Sequence, residues 1–296
     1  MGITRRAALR TLLAGSAVAA SAAIPTESAS AATLPTPPAD ALGLLYDATL
    51  CIGCKTCVVA CQDANGLPRD TSGIDYKYDA PVALSARAKN VIKLYTGEEG
   101  ESFMKAQCMH CVDPACVSAC MIGALTKNRE TGIVSYNVDY CVGCRYCEIA
   151  CPFNVPKFEW AKATPRVVKC ELCRERLAEG KEPACTEVCP RHAVIFGKRA
   201  ELMQEAKRRI AAEPDKYQPR VYGETEGGGT QCLYISHVPF DTLGLPSLDD
   251  RPAPELARSI QHTVYKGFIA PVALYGVLAA VMLRNRRGGQ APEDRP

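Results

Sequence analysis

Sixteen of the seventeen cysteines in this 296-residue chain lie between Cys51 and Cys189, and their spacing repeats four times. Every group of four opens with a C-x2-C pair and closes with a C-x3-C pair, and the gap between the pairs is two, four, two or eleven residues. Thiols crowded in this way favour chelation over cross-linking. The groups are Cys51, Cys54, Cys57, Cys61; Cys108, Cys111, Cys116, Cys120; Cys141, Cys144, Cys147, Cys151; and Cys170, Cys173, Cys185, Cys189.

This spacing predicts cubane 4Fe–4S clusters, each of which needs four thiolates at the corners of a small tetrahedron. Three cysteines of one tight loop can surround a cluster. The fourth follows where a helix is expected to start, and it reaches a neighbouring cluster, as in two-cluster ferredoxins. Proline follows Cys151 and Cys189, as in the bacterial ferredoxin run, whereas Gln62 and Met121 follow the other two fourth cysteines. The sixteen thiols suffice for four clusters.

Two other interpretations of the cysteines stay open. A disulfide framework suits an exported protein, although usually a short one. Zinc sites also use C-x2-C pairs, but they seldom add a third and fourth cysteine to each group.

Cys232 has no partner group and is predicted to be a packed thiol. Four cations in or beside the loops either ease the burial of anionic clusters or are solvated surface charges: Lys55, Arg145, Lys169 and Arg174.

The order of the groups predicts which cysteines share a cluster. The second and third groups are joined by a predicted hairpin and form one two-cluster unit, and the first and fourth groups form the other. Neighbouring buried clusters make a path for electrons. The predicted sets are Cys51, Cys54, Cys57 and Cys189 (cluster 1); Cys61, Cys170, Cys173 and Cys185 (cluster 2); Cys108, Cys111, Cys116 and Cys151 (cluster 3); and Cys120, Cys141, Cys144 and Cys147 (cluster 4).

The elements that must position these loops are short. The predicted fold class is therefore α+β, a duplicated bacterial-ferredoxin-like 4Fe–4S domain with a C-terminal transmembrane helix. Gly132 is placed for a positive φ in the second hairpin. The patterning predicts strands at 44–49, 193–196 and 232–235, hairpins over 91–105 and 124–136, and an amphipathic helix at 199–212.

Both ends of the chain carry membrane signals. Arg5 and Arg6 precede an alanine-rich stretch with an A-x-A site at 29–31, which predicts export by the twin-arginine route; an ordinary N-terminal helix is the alternative. The uncharged run 267–283 would make about 26 Å of helix, against about 30 Å of hydrocarbon, and a buried soluble helix is the alternative. These signals predict a body on the periplasmic face of the inner membrane.

The resulting domain organisation has six parts. They are a twin-arginine signal peptide (1–31), a linker (32–43), a four-cluster ferredoxin domain (44–200, with an insertion at 62–107), a helix and docking extension (201–266), a transmembrane helix (267–283) and a cytoplasmic tail (284–296). The formal charge is +3, and no basic stripe interleaved with aromatics indicates nucleic-acid binding.

Seven segments resemble the HybA-type ferredoxin subunits of periplasmic, membrane-bound nickel–iron hydrogenases. Their motifs are more broadly similar to four-cluster electron-transfer subunits of formate dehydrogenases and molybdopterin oxidoreductases. Met121 departs from the proline expected after Cys120. The segments are LLYDATLCIGCKTC, QCMHCVDPACVSAC, YCVGCRYCEIACPFNVPKFEW, KCELC, EVCPRHAVIFG, YGETEGGGTQ and IQHTVYKGF.

The resemblance implies a subunit without catalytic residues of its own. It would relay electrons from the small and large subunits of a hydrogenase to a quinone-reactive integral membrane subunit, with the bilayer contacted through 267–283. A formate dehydrogenase or molybdopterin oxidoreductase complex is the alternative assembly. An enzyme in its own right is disfavoured, because the sequence has no flavin, molybdopterin or nucleotide motif and its histidines form no catalytic constellation. His110 lies between two predicted ligands and either tunes a cluster or is a surface or structural histidine, and the second interpretation is favoured.

Overall fold

The computed structural model describes residues 36–69, 81, 83–98 and 100–288, with the backbone alone for 261–270 and 286–288. The chain divides into two units, 1–34 and 35–296, and all described residues belong to the second. The predicted signal peptide and the end of the predicted tail lie outside the described residues.

Short strands alternate with short helices, in agreement with the predicted α+β class. The strands are β1 (Leu42–Asp47), β2 (Val91–Gly97), β3 (Gly100–Ala106), β4 (Leu125–Lys127), β5 (Val134–Tyr136), β6 (Lys157–Phe158), β7 (Val167–Val168), β8 (Val194–Lys198) and β9 (Cys232–Ile235). The α-helices are α1 (Thr56–Ala64), α2 (Ala115–Ser118), α3 (Tyr146–Ala150), α4 (Arg174–Ala178), α5 (Ala184–Glu187), α6 (Arg199–Ala212) and α7 (Glu255–Gly288).

A three-stranded sheet in the order β8-β1-β9 joins distant parts of the chain. β1 pairs antiparallel with β8 and parallel with β9, in a register that places Tyr46 opposite Tyr234. The two rings lie 5.4 Å apart. The sequence predicts each of these strands, but it does not indicate that β9 pairs with β1, because parallel pairing across such a separation leaves no local signal.

The hairpin β2–β3 is pinned to this sheet by tyrosine hydroxyls. The two strands pair antiparallel from Val91–Ala106 to Gly97–Gly100, which confirms the predicted hairpin. The Tyr46 hydroxyl donates to the carbonyl oxygen of Phe103 (2.7 Å), and the Tyr234 hydroxyl donates to that of Lys105 (2.7 Å). Strand β3 is therefore held against the sheet on both sides of Met104.

Aromatic side chains contribute more to the core than the sequence suggests. Although aromatics form only 6% of the chain, Tyr46, Tyr222, Tyr234 and Phe240 are almost fully buried in the largest apolar cluster. The burial of these tyrosines depends on distant acceptors for their hydroxyls, which the sequence does not reveal.

Helix α6 matches the predicted 199–212 in both bounds. Its Leu202 and Ala206 pack under Leu45 and Leu233 of the sheet. The buried Asp47 accepts from Arg209 Nη1 of α6 (3.1 Å), a paired arrangement that a buried carboxylate requires.

Two small hairpins support the middle cysteine groups. β4 pairs with β5, and β6 pairs with β7. Gly132, in the turn between β4 and β5, has φ +69°, as predicted. A Cβ at this position would meet the Gln231 side chain at 2.5 Å, so the positive φ and the close approach both require glycine.

Helix α7 contains the run 267–283 but starts twelve residues earlier, at Glu255. Pro271 therefore lies inside the helix. Among the residues whose side chains are described, no helix is both long and apolar enough to cross a membrane. The predicted transmembrane helix is not confirmed.

Candidate iron–sulfur cluster sites

Each cysteine group turns back on itself at a left-handed residue before its second cysteine, and three groups have another such residue next to or at that cysteine: Lys55, Arg145 and Cys173. The residue just before the second cysteine has a positive φ in all four groups: Gly53 (+69°), His110 (+47°), Gly143 (+71°) and Leu172 (+53°). This conformation is cheap for glycine and uncommon for other residues. The repeated turn folds each C-x2-C pair around a common point.

Short helices carry the third cysteine of each group. Cys57, Cys116, Cys147 and Cys185 lie in α1, α2, α3 and α5, and all four are buried. The sequence had placed the helix start at the fourth cysteine. The structure corrects this, because the helices start before the third cysteine, and only Cys61 of the fourth cysteines lies within one. After the other three, the chain turns through left-handed Gly123, Asn154 and His192.

Helix packing joins the groups in pairs. Helix α1 of the first group packs against α5 of the fourth group, and α2 of the second group packs against α3 of the third. These are the pairs expected for two two-cluster units. The fourth cysteine of each group therefore lies beside the loop of its partner group.

The first predicted set lines a single cavity. Cys51, Cys54 and Cys57 come from the first group, and Cys189 comes from the end of the fourth. Lys55 and Lys105 line the same cavity. The backbone amide of Ala193 donates to Cys189 Sγ (3.3 Å), as amides do to cluster-binding sulfurs.

The thiols of the other three sets are also electrostatic neighbours. Burial raises the pKa of Cys61 to about 12, and the nearby Cys170 adds to the shift. Burial also raises the pKa of Cys147 to about 11, with further contributions from Cys120, Cys141 and Cys144. Cys111 has a pKa raised by burial and then by Cys108, Cys151 and Cys116. Thiols with such pKa values need a cationic centre to become thiolates at neutral pH.

Cysteines of neighbouring sets are close enough to act on each other's charge. Beyond the effect of burial, Cys57 raises the pKa of Cys185, Cys108 raises that of Cys170, and Cys147 raises that of Cys116. The sets therefore follow one another in the order 1, 2, 3, 4. Cys54 of the first set and Cys144 of the last are exposed, whereas the other fifteen cysteines are not.

Buried lysines surround these thiols. Lys55, Lys105 and Lys169 are each at most 8% exposed, so Lys55 and Lys169 are not the solvated charges of the alternative interpretation. Lys169 Nζ donates to the carbonyl oxygens of Val134 (2.5 Å) and Cys170 (3.0 Å). A buried ammonium is costly unless anions compensate it, and the adjacent thiolates are anions.

Three buried nitrogen atoms beside the cysteine groups have no hydrogen-bond partner in the described part of the chain. They are Lys105 Nζ, His110 Nε2 and Arg145 Nε. Buried donors are normally satisfied, so each indicates an acceptor that the chain does not supply. Inorganic sulfide is such an acceptor, and the donor set of sixteen thiols fits 4Fe–4S clusters in the same way.

The imidazole of His110 is buried and contacts strand β5. Its Nδ1 accepts from the backbone amide of Val134 (3.0 Å), and burial keeps the imidazole pKa well below its usual range.

All seventeen cysteines are free thiols. Across the described residues, no three His, Cys, Asp or Glu side chains are grouped tightly enough for a single metal ion.

The sequence does not indicate where two buried residues, Lys105 and Cys232, lie relative to the cysteine sets. Lys105 is fully buried in β3 and lines the cavity of the first set, although the nearest cysteine in the sequence, Cys108, belongs to the third set. Cys232 is a packed thiol, as predicted, but its Sγ donates to the carbonyl oxygen of Cys108 (3.3 Å) and thus lies next to the third set. A lysine within an otherwise apolar strand end, Phe103–Ala106, was the only available signal for Lys105.

Together the fold and the cysteine loops define a ferredoxin-like protein that binds multiple 4Fe–4S clusters. A family profile described as a 4Fe-4S dicluster domain matches residues 101–199. The Hydrogenase-2 operon protein HybA of Escherichia coli O157:H7 is 43% identical over 90% of this chain and 91% of its own length. The chain belongs to the HybA family.

Iron–sulfur subunits of other enzymes are more distant relatives. The nitrate-inducible formate dehydrogenase iron-sulfur subunit of Escherichia coli K12 is 35% identical over 79% of this chain and 80% of that protein. The formate dehydrogenase iron-sulfur subunit of Haemophilus influenzae is 35% identical over 77% of this chain and 74% of that protein.

Proposed function

We propose that this chain is the iron–sulfur electron-transfer subunit of a hydrogenase, and that it carries electrons and performs no catalysis of its own. The ordered series of four cysteine sets carries the proposal. When bound, 4Fe–4S clusters accept and release single electrons. The sixteen cysteines hold them in the four sets given above, and the protein around them excludes water and supplies compensating charge.

The relay would run between two exposed ends. Cys54 opens the first set to solvent, and Cys144 opens the fourth. Several large apolar side chains that lie close in sequence to the cysteines of the fourth set are exposed, and apolar side chains concentrated in this way are typical of docking sites. They support a partner subunit at that end: Met121, Ile122, Tyr140, Val142, Tyr146, Ile149 and Trp160.

The partners are the small and large subunits of a hydrogenase on one side and a quinone-reactive integral membrane subunit on the other. The likeness to HybA supports this assembly over a formate dehydrogenase, since the formate dehydrogenase subunits are less similar and match less of the chain. A molybdopterin oxidoreductase complex is the wider alternative.

Electron delivery tests the proposal directly. The full chain, purified with its clusters, is mixed with a catalytic hydrogenase pair under hydrogen, and the visible absorbance of the clusters is followed. We expect rapid bleaching that requires the pair. The matched control replaces the pair and hydrogen with a formate dehydrogenase catalytic subunit and formate. Faster reduction by formate would contradict the hydrogenase assignment.

We also propose that the protein works on the periplasmic face of the inner membrane. The twin arginines Arg5 and Arg6 support export, and apolar side chains exposed along α7, among them Val272, Tyr275 and Met282, support contact of 267–283 with the lipid bilayer.

Cell fractionation tests both parts of this localisation. A double variant, Arg5→Lys with Arg6→Lys, should leave a cluster-loaded precursor in the cytoplasm, whereas Arg10→Lys should be exported normally. A chain that ends before residue 267 should leave the membrane fraction when expressed without partner subunits. Normal export of the double variant, or retention of the shortened chain, would refute the corresponding part.

A further inference from the structure

Lys105 is the most completely buried cation in the described part of the chain, and its surroundings contain no carboxylate partner. Its exposed fraction is 0%, and its Nζ makes no hydrogen bond within that part. An ammonium group has three donors and strongly prefers water or an anion. A neutral side chain of the same length would be cheaper to bury, so packing alone does not account for a lysine here.

The backbone fixes where this lysine lies. Strand β3 pairs Lys105 with Ile92 of β2, and the Tyr234 hydroxyl donates to the Lys105 carbonyl oxygen. The side chain lines the cavity that contains Cys51, Cys54, Cys57 and Cys189. The lysine is thus held at the first cysteine set by two independent contacts of its own strand.

The same side chain also faces the second set. The cysteines whose charges act on its ammonium group are Cys185, Cys57, Cys61 and Cys170. Cys57 belongs to the first predicted set, and the other three belong to the second. The positive charge therefore lies between two neighbouring sets, in a region of low dielectric where charges interact strongly.

We propose that Lys105 is a tuning residue for electron transfer, whose fixed positive charge raises the reduction potentials of clusters 1 and 2 together. Reduction adds one negative charge to a cluster, and a buried cation nearby stabilises the more negative state. Because one ammonium group acts on both clusters, it shifts both potentials in the same direction and changes the difference between them less than it changes either one. The inference rests on the ligand sets proposed above.

Replacement by a neutral side chain of similar length tests the inference. The full-length Lys105→Met variant is loaded with clusters, its iron and sulfide contents are measured, and each cluster is titrated electrochemically while its electron paramagnetic resonance signal is followed. We expect reduction of two of the four clusters to become at least tenfold less favourable, a fall of about 59 mV or more in potential. The other two should be unchanged.

Lys93→Met is the matched control, because Lys93 lies on the paired strand β2 and is only partly buried. This variant removes the same charge and should leave all four potentials unchanged. Unshifted potentials in Lys105→Met, or equal shifts of all four clusters, would overturn the inference.

A third variant covers the case in which Lys105→Met does not retain two of its clusters. Lys105→Arg keeps the positive charge. If this variant retains all four clusters, the result supports the inference. If both variants lose clusters, the role of Lys105 is purely structural and the inference is overturned. A wild-type chain that binds no clusters would instead refute the proposed function, so the two failures are distinguishable.

Discussion

At the scale of single residues, one backbone conformation is common to the four cysteine groups. Gly53, His110, Gly143 and Leu172 each adopt a positive φ before the second cysteine. Gly53 is further constrained by its neighbour, since a Cβ there would lie 2.2 Å from the Phe103 ring. The turn of the first group and strand β3 are therefore packed without space between them.

A pair of glycine substitutions separates these two constraints. Gly53→Ala and Gly66→Ala both force alanine to a positive φ, at about 1–2 kcal/mol each, but a Cβ at Gly66 would meet nothing within 4 Å. We expect Gly53→Ala to lose an additional amount, about 1–3 kcal/mol, from overlap with Phe103. Its thermal midpoint should then fall roughly 2–12 °C below that of Gly66→Ala. Equal midpoints would show that the ring moves aside freely.

The sequence reveals these turns only where glycine marks them. Gly53 and Gly143 could have been assigned a left-handed conformation, because glycine adopts it without strain. His110 and Leu172 gave no such signal. Their strain is compensated by tertiary contacts, such as the bond from Val134 to the His110 ring, which depend on the folded structure.

At the scale of elements, the packing of helices from different cysteine groups decides which thiols lie close together. Helices α1 and α5 bring the first and fourth groups together, and α2 and α3 bring the second and third together. The result is that Cys61, at the end of α1, lies near Cys170 of a loop more than a hundred residues away. Each predicted ligand set depends on a cysteine that the partner group supplies in this way.

Iron analysis of three variants tests whether Cys61 and Cys170 bind the same cluster. Cys61→Ala and Cys170→Ala should perturb the same cluster, and each should lose about one quarter of the bound iron, with the same electron paramagnetic resonance signal affected. Cys232→Ala, which removes an equally buried thiol from outside the sets, should keep the full iron content. Loss of two different signals from the first two variants would contradict the shared cluster.

Local elements were largely predictable, and their long-range pairing was not. The hairpin β2–β3, the strands β4, β5 and β9 and the helix α6 follow from hydrophobic periodicity and turn residues. The parallel pairing of β1 with β9 could not be derived. Neither could the position of Lys105 between two sets, since a lysine is ordinarily predicted to be exposed.

At the scale of the whole molecule, positive charge is buried beside the cysteine sets, and only the first and last sets contain an exposed cysteine. The buried lysines lie beside the cysteine sets, and the two exposed cysteines, Cys54 and Cys144, lie at opposite ends of the series. Interior sets are shielded from solvent, while the terminal sets are open to partners. A chain that relays electrons between two subunits requires this combination.

The iron and acid-labile sulfide content of the full chain, purified without air, is the most direct test of cluster binding. We expect a brown protein with roughly 16 iron and 16 sulfide per chain, as four 4Fe–4S clusters require. A colourless protein without metal, whose mass shows the sixteen cysteines joined as disulfides, would contradict it.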